Sequence, residues 1–360
     1  MIRSNLSAMA EPLVIDGARG EGGGQIVRSA CALSILSGRA VRVVNVRAKR
    51  AKPGLAKQHA TAVLAAARVC RGEARGATVG SREIELRPGS VVPGDYHFPI
   101  GTAGATTLVL QTILLPLALA AGPSRVTFEG GTHNVKAPPC EFLERAYLPL
   151  LARMAGARLA DLELERAGFY PAGGGRLALR VHSIAGFGSL SLLERGGIRD
   201  VGATAAVWKL PRHIAERELS VVRSVLGWSE GALSAVARED SFGPGNVLSL
   251  SVSSEHVTEV FTGVGERGVP AERVASAVVA EARAYLDAGV PVGEHLADQL
   301  LLPMALGQGG EFRTVAPSLH TTTHAEVIRA FLDVAIGIEE ESERVSRITV
   351  RGAGIHGGAG

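Results

Sequence analysis

A unit of alternating strands and helices that recurs three times is the feature that most constrains this sequence. In the first copy, a strand at Leu13–Asp16 leads through a glycine-rich turn at residues 20–24 into an apolar helix at Gln25–Leu36. The second copy begins at Tyr96–Ile100, and segments between residues 296 and 351 form the third. Because apolar periods of two and 3.6 residues alternate between Gly and Pro breaks, the sequence predicts an α/β (α+β) fold built from repeated units.

Residues 183–287 interrupt this repeat. The segment carries its own predicted strands, among them Leu190–Leu193, and two predicted helices at Ile214–Leu226 and Ala271–Leu286. That content is enough for a compact domain of its own. We therefore predict a body formed by residues 12–182 and 288–351, a smaller inserted α/β domain at 183–287, and a flexible tail at 352–360.

Charge and composition narrow the classes of partner. Lys and Arg total 38 against 35 Asp and Glu, so a nucleic acid would have to be held by a local basic patch. Aromatic residues make up only 4% of the chain, so stacking platforms for single strands should be scarce. Three widely spaced cysteines indicate neither a disulfide framework nor a thiolate zinc site. No apolar run is long enough for a membrane span, and the first residues do not resemble a signal peptide, so we expect a cytoplasmic protein.

Two segments near the start could bind anions. The glycines of residues 20–24 follow a strand and open a helix, which suits phosphate binding at the helix N-terminus, although a tight structural turn explains them equally well. The densest basic run covers residues 47–59 after the next strand. It could clamp phosphate groups or be a solvated charged loop, and the residues alone leave both open.

Two later segments hold further candidates. His320 and His324 are four residues apart between a predicted strand and helix, so they suggest a metal pair, a nucleophile or an ordinary loop histidine. We expect His320 to precede the helix and the threonines after it to cap that helix. The segment at 293–300 places an acid, a histidine and an amide on one helical turn, where Asp298 could bind a metal and Gln299 could read a base edge. An exposed first turn of a helix is the simpler alternative.

Nine ordered segments carry a resemblance to a known family: DGARGEGGGQIVRSA, RAKRAKPGLAKQH, GDYHFPIGTAGATTLVLQT, GGTHNVKAPP, GFYPAGGGR, PRHIAERE, GPGN, GEHLADQLLLPMA and PSLHTTTHAEVI. From about Val14 to about Val350 the chain resembles the RNA 3′-terminal phosphate cyclase family. The resemblance implies three units of two helices and a four-stranded sheet, with a smaller domain inserted before the last unit. It also implies ATP-dependent conversion of an RNA 3′-phosphate to a 2′,3′-cyclic phosphate.

The same resemblance assigns roles to individual positions. The family's P-S-x-H segment makes His320 the residue that becomes adenylylated. Pro138 and His295 fall where the family sandwiches adenine, and Mg²⁺ or Mn²⁺ is implied near Glu21 and Asp298. The ATP-binding positions are Glu21, Gln111, Pro138, His295, Leu296, Ala297, Asp298 and Gln299. The positions implied for the phosphate of an RNA substrate are Arg28, Arg47, Arg50, Gln58 and His59.

Two other functions remain open from the sequence. A non-catalytic branch of the same family takes part in ribosome assembly, and it lacks the histidine that matches His320. Enolpyruvyl-transferase-like enzymes are built from similar repeats and need no covalent nucleotide. The presence of His320 favours the cyclase.

Overall fold

The computed structural model describes residues 11–357, and its first repeated unit forms a four-stranded mixed sheet. β1 pairs with β2 in parallel, and the other neighbours are antiparallel, in the order β1-β2-β4-β3. Parallel neighbours need a crossover connection, which the first helix of the unit provides. The elements are β1 (Leu13–Asp16), α1 (Gly24–Ser37), β2 (Val41–Val44), α2 (Lys57–Val69), β3 (Glu73–Arg75) and β4 (Ile84–Arg87).

The second unit repeats this topology. Its sheet has the order β5-β6-β8-β7, again with one parallel pair followed by two antiparallel pairs. The second helix of the unit runs through a π-helical turn at Leu143–Tyr147. The elements are β5 (Asp95–Pro99), α3 (Thr106–Ala118), β6 (Ser124–Gly130), α4 (Cys140–Phe142), α5 (Leu148–Ala155), β7 (Ala160–Arg166) and β8 (Gly175–Val181).

The third unit is split by the insertion. β9 (Leu190–Leu192) comes before the inserted domain, whereas α8 (Glu294–Leu306), β14 (Gly310–Thr314), α9 (Leu319–Phe331), β15 (Ala335–Ser342) and β16 (Val345–Arg351) follow it. The sheet order is β9-β14-β16-β15, with β9 parallel to β14. Helices of the three units pack into one core, where α1 contacts both α3 and α9. The α/β class with three repeated units is thereby confirmed.

The inserted domain has a separate topology and its own core. Its sheet has the order β11-β10-β12-β13, and only β10 and β11 are parallel. Both predicted helices are present, whereas β11 and β13 went unrecognised in the sequence. The elements are β10 (Ile198–Trp208), α6 (His213–Leu226), a 3₁₀ turn (Glu230–Ala232), β11 (Leu233–Arg238), β12 (Gly245–Ser254), β13 (Thr258–Val264) and α7 (Ala271–Ala288).

Two boundaries differ from the prediction. The strand at Leu190–Leu193 was expected inside the inserted domain, but β9 pairs with β14 of the third unit. Parallel partners are distant in sequence, so strand periodicity could not show which sheet it joins. The tail was expected to be flexible from Gly352, yet Ala353 and Ile355 donate backbone hydrogen bonds to Ala305 and Leu306 at the end of α8, at 2.8 and 2.7 Å. Residues 358–360 of that tail lie outside the described residues.

No helix within residues 11–357 combines the length and the apolar character needed to cross a bilayer.

Candidate active site

His320 lies in the first turn of α9. Ser318 is the N-cap, and its hydroxyl accepts a hydrogen bond from the backbone N–H of Thr321 at 3.4 Å. The predictions that His320 precedes the helix and that a threonine caps it are therefore wrong. Ser is as good an N-cap as Thr, and sequence alone did not separate the two. His320 and His324 consequently lie one turn apart on the same helix.

Gln25, at the start of α1, joins His320 to Asp298 on α8. Its amide nitrogen donates to Oδ1 of Asp298 at 2.6 Å, and its Oε1 lies 3.0 Å from Nδ1 of His320. Because a carboxylate only accepts, the amide oxygen must face the imidazole, and Nδ1 must carry the ring proton. The lone pair of the His320 ring is thereby left on Nε2.

Asp298 is buried and its two oxygens already have protein partners. Nδ1 of His324 lies 3.0 Å from Oδ1, and the amide of Gln299 donates to Oδ2 at 3.0 Å. Burial alone would raise the pKa of Asp298, but His324 and the Gln25 hydrogen bond outweigh it and hold the pKa below its ordinary value. Asp298 is thus an ionised anchor for three side chains, an arrangement that does not suit it as a metal ligand.

Glu21 lies in the glycine turn on the other side of His320. Oε1 forms an ion pair with Arg50 and lies 3.8 Å from Nε2 of His320. Oε2 is buried and has no hydrogen-bond partner within residues 11–357. Leaving such an oxygen unpaired is costly, and a hard divalent cation is one ligand that would satisfy it.

The glycine turn itself is held against α9. The backbone N–H of Glu21 donates to Oγ1 of Thr323 at 3.0 Å. Gly20 has φ +51°, and a Cβ there would collide with the same threonine side chain. Glycine is required at this position because α9 approaches so closely. The turn therefore positions Glu21 beside His320.

Arg28 and three glutamines line a small cavity behind this cluster, and Gln111 and Gln299 are two of them. Burial lowers the pKa of Arg28 to about 10, although nearby Asp298 favours its charged form. Gln111 donates to Gln299 across the cavity, whose volume is about 60 Å³. That space suits a few water molecules. A nucleoside would enter only if the contact between the two glutamines opened.

The other positions implied for the RNA phosphate hold neighbouring loops together. Arg47 donates to the backbone oxygen of Gly54 at 2.6 Å, and Oε1 of Gln58 accepts from the backbone N–H of Ala105 at 2.9 Å. His59 is buried, and burial together with Arg28 and Arg47 lowers its pKa to about 3. Of this set, Arg50 is the cation in contact with Glu21.

The remaining nucleotide positions divide into buried and exposed ones. Leu296 and Ala297 lie in the first turn of α8, and their side chains are fully buried in the core. Only the backbone groups of these two residues could therefore contact a nucleotide. His295 is exposed, and its Nε2 lies 3.5 Å from Oε1 of Glu281 on α7 of the inserted domain. Pro138 lies half-buried in the loop before α4.

Sequence reasoning missed Gln25 and Glu281 as members of this cluster, and it named His324 only as a possible partner of His320 in a metal pair. Gln25 and His324 are buried polar residues on otherwise apolar helix faces, which is a usable sequence signal. Glu281 had no such signal, because its proximity to His295 arises only in the tertiary structure.

Comparison of the sequence with known proteins identifies the family of this chain. A sequence model described as RNA 3′-terminal phosphate cyclase matches residues 19–338. The chain belongs to the RNA 3′-terminal phosphate cyclase family. The range that matches the cyclase family contains every candidate position from Glu21 to His320.

Two bacterial relatives carry the same name. The RNA 3′-terminal phosphate cyclase of Ectopseudomonas mendocina (strain ymp) is 50% identical over 337 residues, covering 94% of this chain and 97% of the relative. That of Koribacter versatilis (strain Ellin345) is 45% identical over 345 residues, covering 95% of this chain and 97% of the relative. The similarity thus includes both the body and the inserted domain.

Proposed function

We propose that this protein is an ATP-dependent RNA 3′-terminal phosphate cyclase that acts through a covalent histidine–AMP intermediate. The observation that carries the proposal is the imidazole of His320, held through Nδ1 by Gln25 and with the lone pair on Nε2. Family membership and the names of the two relatives support the overall reaction. The substrates are then ATP and an RNA that ends in a 3′-phosphate.

In the first step, Nε2 of His320 attacks the α-phosphate of ATP. A phosphorus–nitrogen bond forms, and the bond to pyrophosphate breaks. The attacking ring must be neutral, and burial, assisted by the positive charges of Arg28 and Arg50, lowers the pKa of His320 despite the opposing charge of Asp298. As the ring becomes positive, its Nδ1–H donates to Gln25, which Asp298 polarises from the other side.

The next two steps involve the RNA. An oxygen of its 3′-phosphate attacks the adenylylated histidine and releases Nε2, giving RNA-(3′)pp(5′)A. The neighbouring 2′-hydroxyl then attacks the 3′-phosphorus and expels AMP, which closes the cyclic phosphate. This last step is intramolecular and has a large proximity advantage. Arg50 and the basic segment at 47–59 would offset the charge of the phosphates.

Glu21 fits a divalent cation better than Asp298 does. Its Oε2 has no hydrogen-bond partner in the part of the chain that the structure describes, and the carboxylate is a hard oxygen ligand beside His320. Mg²⁺ takes one or two carboxylates together with phosphate oxygens and water. Within the described residues no cluster of three or more His, Cys, Asp and Glu could hold a metal alone. Mg²⁺ or Mn²⁺ bound at Glu21 would neutralise phosphate charge.

The test is transfer of label from ATP to the protein. After incubation with ATP labelled in its α-phosphate, the wild-type chain should carry acid-labile, alkali-stable label, and His320→Asn should carry none. His97→Asn, which changes a half-exposed histidine of β5, is the matched control and should be labelled normally. Added RNA with a 3′-phosphate should remove the label and become cyclised. Labelling of the His320→Asn variant, or a wild-type protein that stays unlabelled, would reject the mechanism. Either result would favour a binding role or an enolpyruvyl-transfer role instead.

A further inference from the structure

Two aromatic side chains stand out on the surface of a chain that has few aromatic residues. Tyr170 is 82% exposed and Phe242 is 62% exposed. Within residues 11–357 they are the only aromatic members of the strongly exposed large hydrophobic side chains. Tyr170 belongs to the body, in the loop between β7 and β8, whereas Phe242 belongs to the inserted domain, in the loop between β11 and β12.

These two loops lie side by side, and the exposed phenyl ring is held in place. Ala167 and Ser241 form a parallel bridge between the loops. The ring of Phe242 packs on Gly174, where φ is +70° and any Cβ would collide with it. The guanidinium of Arg166 lies 4.3 Å from the ring centroid and donates to the oxygen of Gly174 at 2.6 Å. We call Tyr170, Phe242 and Arg166 the aromatic patch.

A chain of contacts connects the aromatic patch with the residues around His320. A Cβ on Gly173 would lie 3.1 Å from Cα of Ala103, so the patch borders the turn at residues 101–105. That turn is tied to Gln58 at the start of α2 by the Ala105 hydrogen bond. The next residue, His59, packs its ring against Gly24, which precedes Gln25. Exposed Lys57 adds a positive charge along this path.

We propose that Tyr170 and Phe242 stack on bases of the RNA that lie upstream of its 3′-phosphate. This inference rests on the proposed cyclase function, because it is the RNA end at His320 that would bring the rest of the strand along the path. Every base has a π-face, so two exposed rings bind a single strand without reading its sequence. Arg166 adds a cation that both supports Phe242 and attracts the RNA backbone. The inserted domain thereby contributes directly to substrate binding.

The experiment compares RNA lengths in a variant that lacks both rings. Wild type and the Tyr170→Ala, Phe242→Ala double variant are titrated with a 3′-phosphorylated dodecamer, the same dodecamer with abasic upstream positions, and a 3′-phosphorylated dinucleotide. Removing the stacking should weaken dodecamer binding by about tenfold or more. Dinucleotide binding and labelling of His320 by ATP should not change. Abasic upstream positions should lower the dodecamer affinity of the wild type to that of the double variant. They should not lower the affinity of the double variant any further.

Two controls separate stacking from other causes. Val225→Ala changes an exposed residue of α6 in the same inserted domain and should bind every RNA like the wild type. Phe242→Trp keeps a π-face and should retain dodecamer affinity. Equal loss for dodecamer and dinucleotide, or no loss for either, would overturn the proposal. So would a double variant that only changes its self-association in sedimentation, since the patch would then be a protein interface. Failure of the cyclase reaction itself would appear separately, as unlabelled wild-type protein.

Discussion

Nδ1 of His320 lies 3.0 Å from Oε1 of Gln25, and the same amide donates to Asp298 at 2.6 Å. The three residues come from α9, α1 and α8, so this chain of hydrogen bonds joins the first and third units of the body. It determines which ring nitrogen of His320 is protonated. In the proposed mechanism Gln25 is therefore a positioning residue, and its effect can be separated from that of the proposed nucleophile, His320.

Replacing Gln25 with Met, which has a similar shape but no amide, should slow formation of the histidine–AMP adduct by roughly ten- to a hundredfold. This corresponds to loss of about 1–3 kcal/mol from one hydrogen bond in a charged, buried setting. ATP binding, measured separately by equilibrium titration, should change much less. Gln308→Met changes an exposed glutamine and is the matched control. An unchanged adduct rate in Gln25→Met would show that the tautomer of His320 is set in another way.

The rate of adenylylation of His320 should fall as the solution becomes acidic, and the pH at which the rate is half-maximal should lie below 6.5, the ordinary pKa of histidine. Only the neutral ring of His320 is nucleophilic, and burial together with the charges of Arg28 and Arg50 lowers its pKa below that ordinary value. Arg50→Gln removes one of those cations, so it should move the midpoint upward. The measurement is the initial rate of label transfer across pH 4.5 to 8. A wild-type midpoint above 6.5 would contradict the charge arrangement described here.

Glu21→Gln should raise the concentration of Mg²⁺ or Mn²⁺ needed for half-maximal adenylylation, by about tenfold. The reason is that Oε2 of Glu21 is a buried oxygen with no hydrogen-bond partner within residues 11–357, and an amide is a much weaker ligand for a hard cation. Glu294→Gln, an exposed acid in the first turn of α8, serves as the control. If both variants need the same metal concentration as the wild type, the cation is held elsewhere.

Arg47 and Arg50 should differ, although the family resemblance implies that both bind the RNA phosphate. Arg50 pairs with Glu21 beside His320, so Arg50→Ala should slow adduct formation as well as transfer to RNA, each by about tenfold. Arg47 holds the loop through Gly54, so Arg47→Ala should impair use of the RNA more than adduct formation. Lys52→Ala, exposed in the same loop, is the control. If Arg47→Ala and Arg50→Ala slow adduct formation and transfer to RNA in the same proportion, the two arginines do not have these different roles.

Deleting the inserted domain should give different results at different cut points. A deletion of residues 183–287, the predicted inserted domain, takes β9 out of the third sheet, and we expect it not to fold. A linker that replaces residues 197–288 keeps β9 and should still form the histidine–AMP adduct. It should be less stable by about 3 kcal/mol or more, because Val257 and Val260 are buried in the core of the body.

The readouts for the two deletions are thermal melting by circular dichroism and label transfer from ATP. Contacts from the inserted domain also reach α8, since Glu259 accepts from the backbone N–H of Gly293 at 3.3 Å and Glu281 lies near His295. A folded deletion that retains β9 but cannot be labelled would show that these contacts are needed to build the ATP site.

Local sequence patterns predict many of the helices and strands of this protein and the segments that contain its candidate site residues. Helix and strand periods are properties of neighbouring residues, so the three units and both helices of the inserted domain were predictable. The glycine turn, the basic segment and the P-S-x-H segment are also contiguous, and they carried the family resemblance that the comparisons confirmed. Each of these features needs only a few adjacent residues to be recognised.

What only the tertiary structure decided depends on contacts between distant residues. β9 joins β14 across the whole inserted domain, and Gln25 meets His320 at a separation of 295 positions. The aromatic patch likewise forms only because a loop of the inserted domain packs on a loop of the body. Such pairings depend on the free energy of packing whole helices and sheets against one another. The residues of a single segment do not determine that free energy. The family resemblance could therefore propose His320 as the nucleophile, while its hydrogen-bond partners, its tautomer and its surroundings were determined by the fold.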